Sequence, residues 1–112
     1  MTFTFIPVDE RSDFVPVADG VEVSRSIADA QTCSLGGGNI RFVTDGVLDG
    51  VLEYDEVVHV LTGRVTLTVD DQESTGGPGD TFLLVCGSTA RYAGTAGTEL
   101  FYVINPRPDQ ER

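Results

Sequence analysis

The sequence predicts an all-β fold, and three observations carry that prediction. Val65, Leu67 and Val69 alternate with Arg64, Thr66 and Thr68, the period-2 mark of a half-buried strand. Asp19-Gly20, Asp45-Gly46 and Pro78-Gly79-Asp80 fall between apolar runs, where tight turns belong. Nowhere does a 3.6-residue apolar period persist. Taken in order, residues 1–13 place Phe3, Phe5 and Val8 around Pro7, as an edge strand or an ordered arm laid across a sheet. Residues 14–17 and 21–27 form a hairpin at Asp19-Gly20. Residues 28–33 have room for one helical turn but no sustained period, and are read as a loop or short strand. Gly36, Gly37 and Gly38 lack the helix pattern and Lys-Ser/Thr pair of a phosphate loop. They mark a loop where the backbone turns sharply or passes close to another strand. Residues 39–44 and 47–52 are expected to pair across Asp45-Gly46.

Residues 54–87 organise the rest. Val57, Val58, Val60 and Leu61 make the segment after Glu56 apolar on both faces, as in a strand packed from two sides. With Gly63 as the turn, this strand is expected to form a hairpin with the alternating run that follows. Asp70-Asp71 and residues 74–79 are read as turns flanking a short polar segment. Strands at 81–85, 90–93 and 100–104 complete the set. Pro106 and Pro108 end the pairing, so residues 105–112 form a tail of one domain spanning 1–112.

Glu56 precedes Gly63, and Gly79-Asp80 opens a strand closed near Gly87. In these motifs the chain resembles the cupin family, with Val85 standing where the family usually has Pro. The resemblance implies a jelly-roll barrel, the cupin double-stranded β-helix. Tyr54-Asp55-Glu56, Pro78-Gly79-Asp80 and Phe101-Tyr102-Val103 look most like the cupin domain of the ethanolamine-utilisation protein Q (EutQ) family, over residues 34–106. Metal-binding cupins carry a His-x-His before the first-motif Glu and a further His after the second-motif Gly. Here the first pair falls at Asp49 and Val51, or at Gly50 and Leu52, and the last at Ala90. Glu56 alone remains, and one carboxylate does not compensate the desolvation of a divalent ion. The expectation is therefore a barrel with no metal and no cofactor; Mg²⁺ with ATP is the runner-up, through the acetate kinase-like activity that the resemblance implies.

Composition narrows the function classes. A net charge of −11 repels nucleic-acid backbones and anionic membrane surfaces, so neither is an expected partner. All seven cations are Arg, which removes lysine Schiff-base chemistry and a P-loop lysine. Cys33 and Cys86 are in no metal-ligand spacing and are expected as buried free thiols. The N-terminal residues have neither a basic start nor a long apolar run, and a cytoplasmic protein is expected.

Glu56 is the candidate catalytic residue. An inward carboxylate acquires a raised pKa useful for acid or base work, or else it is a structural acid satisfied by Tyr54, Tyr92, Tyr102 or Arg41; the residues alone leave both open. Those four side chains with Glu56 form the candidate ligand pocket for a small polar metabolite. Arg41 and Arg91 also lie on strands with an exposed face available, where solvated positions are favoured. His59 has the opposite strand parity from Glu56, which places it between the sheets or at a subunit contact. Two alternatives accompany the pocket: a metal-dependent enzyme with atypical ligands, Asp49, Glu53 or a tyrosinate joining Glu56, and a non-enzymatic structural or regulatory dimer. The doubly apolar strand points to a homodimer in any of these cases.

Overall fold

Alternating side chains need a layer on one side, and the chain supplies it by stacking two antiparallel sheets. The structure is a computed structural model, and it describes residues 3–108. The strands are β1 (Val15–Ala18), β2 (Val21–Ser24), β3 (Gly36–Phe42), β4 (Gly46–Val51), β5 (Asp55–Thr62), β6 (Val65–Val69), β7 (Gln72–Gly76), β8 (Thr81–Leu84), β9 (Thr89–Gly94) and β10 (Glu99–Asn105). One sheet has the order β1-β2-β3-β10-β5-β8 and the other β4-β9-β6-β7, a jelly roll. The core lies between them. Val58 and Val60 of β5, Leu100 of β10, Phe42 of β3 and Val65 and Leu67 of β6 are all buried there.

The hairpin at Asp19-Gly20 forms as expected, pairing β1 with β2. Two other expected hairpins do not form. After β3 the Phe42 N–H donates to the Thr98 carbonyl at 2.8 Å and the Val43 N–H to the Gly20 carbonyl at 2.8 Å. With those groups committed, β4 crosses to the second sheet and pairs with β9. In the same way β5 pairs with β10 and β8, while β6 pairs with β9 and β7. Gly63 is the crossing point between sheets. Its φ of 81° is left-handed, and a Cβ there would run into Thr98. The buried Thr98 hydroxyl accepts the Arg64 N–H at 2.9 Å and donates to the Arg64 carbonyl at 3.0 Å, which pins the crossover. Glycine at this position thus signals a change of sheet, where the sequence pattern read a turn within one.

The polar segment after Asp70-Asp71 is a strand, β7, at the edge of the smaller sheet. Residues 72–75 are exposed, so no apolar alternation announced it. The hairpin joining it to β6 turns on Asp70 and Asp71, with φ of 47° and 72°. Residues read as loop or strand after β2 instead begin with a short helix, α1 (Ser26–Ala30), closed by left-handed Gln31. Gly36–Gly38 is no loop: the three residues open β3 and pair with Ile104, Val103 and Tyr102 of β10. The close backbone approach is real, because a Cβ on Gly37 would meet the Tyr102 carbonyl and one on Gly38 the Ser24 carbonyl.

Residues 3–13 form an arm with a single 3-10 turn at Val8–Glu10 and no strand. The arm crosses the outer surface near Asn39 and Phe101. At the other end pairing stops at Asn105, and residues 109–112 of the expected tail lie outside the described residues. Both cysteines are free but exposed, not buried, since Cys33 and Cys86 sit in connections and not on inward strand positions. No helix among the described residues is long and apolar enough to cross a membrane.

Candidate functional site

Strand parity decides what faces the cavity between the sheets. On β5 the inward residues are Glu56, Val58 and Val60; on β9 Ala90 and Tyr92; on β10 Leu100, Tyr102 and Ile104. Tyr54 enters from the turn just ahead of β5 and packs against the core. Glu56, Tyr54, Tyr92 and Tyr102 therefore line one cavity of about 270 Å³, together with Leu48, Leu52 and Arg25.

Glu56 is only 4% exposed, and the hydroxyl of Tyr92 donates to its Oε1. That bond joins the two sheets across the cavity, since Glu56 is on the larger sheet and Tyr92 on the smaller. Burial disfavours the ionised carboxylate and pushes the Glu56 pKa up to about 7, while the Tyr92 hydrogen bond pulls the other way. Burial also raises the phenols, Tyr102 to about 12, with the Arg25 charge offsetting part of the shift. Tyr92 moves furthest above its ordinary value, through burial first and the neighbouring Glu56 second. All three tyrosines are thus neutral hydrogen-bonding groups at neutral pH, and Glu56 is the buried acid beside them.

Arg41 does not join them. Ile40 and Phe42 hold the inward positions of β3, so the residue between them points out. Its guanidinium pairs with Glu22 at 2.7 Å and lies 3.9 Å from the centre of the Phe14 ring. The cation at the cavity is Arg25, which the sequence reading missed. Its signal was available, because Val21 and Val23 are inward and Arg25 continues their parity past the end of β2. Arg91 is exposed, 3.9 Å from Asp49. His59 lies on the outward face of β5, within 2.9 Å of the Thr81 hydroxyl, and is not between the sheets.

The register also chooses between the two alignments of the cupin metal positions. Leu48 is opposite Tyr92 and Gly50 opposite Ala90 on β9, so Gly50 and Leu52 share the inward parity and Asp49 does not. The three imidazole places are therefore occupied by glycine, leucine and alanine around Glu56. Asp55 faces away and accepts the Cys86 N–H at 2.9 Å. Among the described residues no three His, Cys, Asp or Glu side chains converge. Glu56 is the buried carboxylate of this cavity and Asp49, at its rim, is turned to Arg91, a poor donor set for a divalent transition ion.

Residues 10–111 match the model of the family described as ethanolamine utilisation protein EutQ. No curated protein matches in sequence. Among solved structures, KdgF from Halomonas sp. superposes with a TM-score of 0.82 at 19% identity, covering 99% of this chain and 100% of that one. An ethanolamine utilisation protein Q from Salmonella typhimurium LT2 gives 0.71 at 20% identity, covering 80% of this chain and 76% of that one. The EutQ protein of Clostridium difficile gives 0.70 at 20% identity, over 92% and 81%. At these identities the structural likeness establishes the shared cupin fold.

Proposed function

The chain belongs to the ethanolamine utilisation protein EutQ family, and from that premise we propose that its barrel binds a small polar metabolite, with Glu56 as the group that exchanges a proton with it. One observation carries this reading: a buried carboxyl, held by Tyr92, at the wall of an open cavity, where burial pushes its pKa up to about 7. A structural acid needs no cavity beside it. About 270 Å³ is just below the usual range of ligand pockets, which run from roughly 300 Å³ upward, and suits a molecule of a few heavy atoms.

The resemblance brings with it ethanolamine and acetate metabolism and an acetate kinase-like activity. Phosphoryl transfer needs several cations about the phosphates. Arg41 and Arg91 are outward, which leaves Arg25 as the cavity's arginine, so binding of the small metabolite is the better-supported part of that implication. The same reading includes a homodimer. Leu83, Val57 and Val103 lie side by side across β8, β5 and β10 on the outward face, and a second copy is the partner proposed for it.

The test is a thermal-shift screen of ethanolamine, acetate, acetyl phosphate and ATP with Mg²⁺ against the wild type and Gly50→Phe. A Cβ at Gly50 meets nothing within 4 Å, so the new ring enters open space at the cavity wall. The expected result is a stabilising compound whose effect Gly50→Phe removes while the variant stays folded. Equal shifts in both proteins would place binding elsewhere and end this reading; response to ATP with Mg²⁺ alone would favour the kinase.

A further inference from the structure

The three most exposed large apolar side chains among the described residues are Phe3, Phe5 and Leu83, at 90%, 79% and 78%. Single exposed apolar residues are ordinary on a protein surface, but these three border one face. That face is the outward side of the larger sheet, where the register sets Phe101, His59 and Thr81 in one row and Val103, Val57 and Leu83 in the next. Leu83 stands at its β8 edge. On the other side Thr4, Ile6 and Val8 of the arm line a groove with Asn39 and Phe101, and Arg11 ties the arm down through Glu99 at 3.3 Å. Phe3 and Phe5 take no part in that groove. Their own chain thus holds the arm in place and leaves its two phenyl rings in water.

We propose that the arm clasps a second copy of this chain, with Phe3 and Phe5 packing on Leu83 and Val57 of that copy, whose own arm returns the contact. The inference rests on the homodimer reading of this face and adds the arm's part in it. Charge selects the occupant. The chain carries −11, yet neither row holds a carboxylate. The acids at the borders of the face are engaged, Glu99 by Arg11 and Asn39, and Asp55 by the Cys86 N–H. A basic partner would be drawn to the acidic remainder of the surface, whereas an equally acidic copy meets least repulsion through a face free of acids. Geometry supplies the self-complementarity. Neighbouring strands are about 4.8 Å apart, so β10, beside the arm, and β8 are separated by about 10 Å with β5 between them. A two-fold axis running along β5 between facing copies exchanges those two sides, and each arm then falls over the other copy's β8 edge. The four rings of a symmetric clasp remove on the order of 600 Å² from water, about half of the roughly 1,200 Å² at which specific interfaces begin. The sheet faces beneath them supply the rest.

Sedimentation equilibrium of the full chain at micromolar concentration tests this, on the wild type, Leu83→Arg and Phe3→Asp/Phe5→Asp. The substituted side chains are all exposed, so both variants are expected to keep the wild-type CD spectrum. Each variant alone is expected to weaken the dimer by about 10- to 100-fold, since its substitutions fall on both symmetry-related contacts. Mixed in equal amounts, the two variants are expected to dimerise again. One contact of the mixed pair is then wild type, and at the other the carboxylates of one chain meet the guanidinium of its partner. A wild-type dimer that Leu83→Arg breaks and Phe3→Asp/Phe5→Asp leaves unchanged overturns the clasp while the face-to-face dimer stands. Variants that are monomeric alone and stay so when mixed overturn the pairing of the arm with Leu83. A wild type that is monomeric at micromolar concentration removes the dimer reading and the clasp together.

Discussion

Ionising Glu56 inside the barrel means stripping water from a carboxylate that is 4% exposed, with one phenol to replace it. Its pKa of about 7 in the fold, against 4.5 outside it, makes this a stability statement. Between those values the folded chain holds more protons than the unfolded one, so the Glu56 contribution is full below about pH 4.5. It is lost progressively up to about pH 7, and amounts to about 3 kcal/mol at most. Glu56→Gln is accordingly expected to change little at pH 5 and to stabilise by about 2–3 kcal/mol at pH 8, read from denaturant midpoints at each pH. Tyr92→Phe takes away the donor and is expected to cost about 1.5–3 kcal/mol at pH 8, where the carboxylate is ionised, and less at pH 5. A cost independent of pH would mean that the Tyr92 hydroxyl does not favour the ionised carboxylate over the protonated one.

Among the elements, β3 is the one whose composition looks least like its structure. Three consecutive glycines in a central strand are unfavourable by propensity, since each loses backbone entropy and packs no side chain. They are there because β10 and the β2–α1 connection approach the β3 backbone too closely for a Cβ. Gly38 has a φ of 155° and faces the Ser24 carbonyl. This approach brings Tyr102, the register partner of Gly38, and the Arg25 region to opposite sides of the same short stretch. Gly38→Ala is expected to cost at least about 2–3 kcal/mol, whereas Gly50→Ala, with open space around its Cβ, is expected to be near neutral. Thermal unfolding of the pair checks this, and equal small costs would mean that β3 shifts to accommodate a methyl group.

For the whole molecule the outward face of the larger sheet is the open matter. Leu83 is 78% exposed beside Val57 and Val103, and Phe101 is opposite His59 on the next row. If a second copy covers this face, the protein sediments as a dimer and Leu83→Lys yields a folded monomer. Sedimentation of the wild type as a monomer at micromolar concentration would remove the dimer from the proposal. At −11 the net charge opposes the association of two copies, so dimerisation is expected to strengthen with added salt.

By itself the sequence determined what depends on neighbours along the chain. Period-2 alternation gave the strands, Asp19-Gly20 gave its hairpin, and motif spacing gave the cupin family and the inward place of Glu56. Tyr54, Tyr92 and Tyr102 were also legible as cavity residues, because strand parity follows from local pattern. Arg25 was legible by the same rule from Val21 and Val23, and Arg41 was excluded by it from Ile40 and Phe42. Only the tertiary structure decided which strands pair. A glycine that turns a hairpin and one that passes the chain to another sheet look alike in sequence, and at Gly63 the distinction was made by Thr98, 35 residues further on. The polar edge strand β7 was likewise settled by pairing with β6, since hydrogen bonds between backbones leave no mark on side-chain composition.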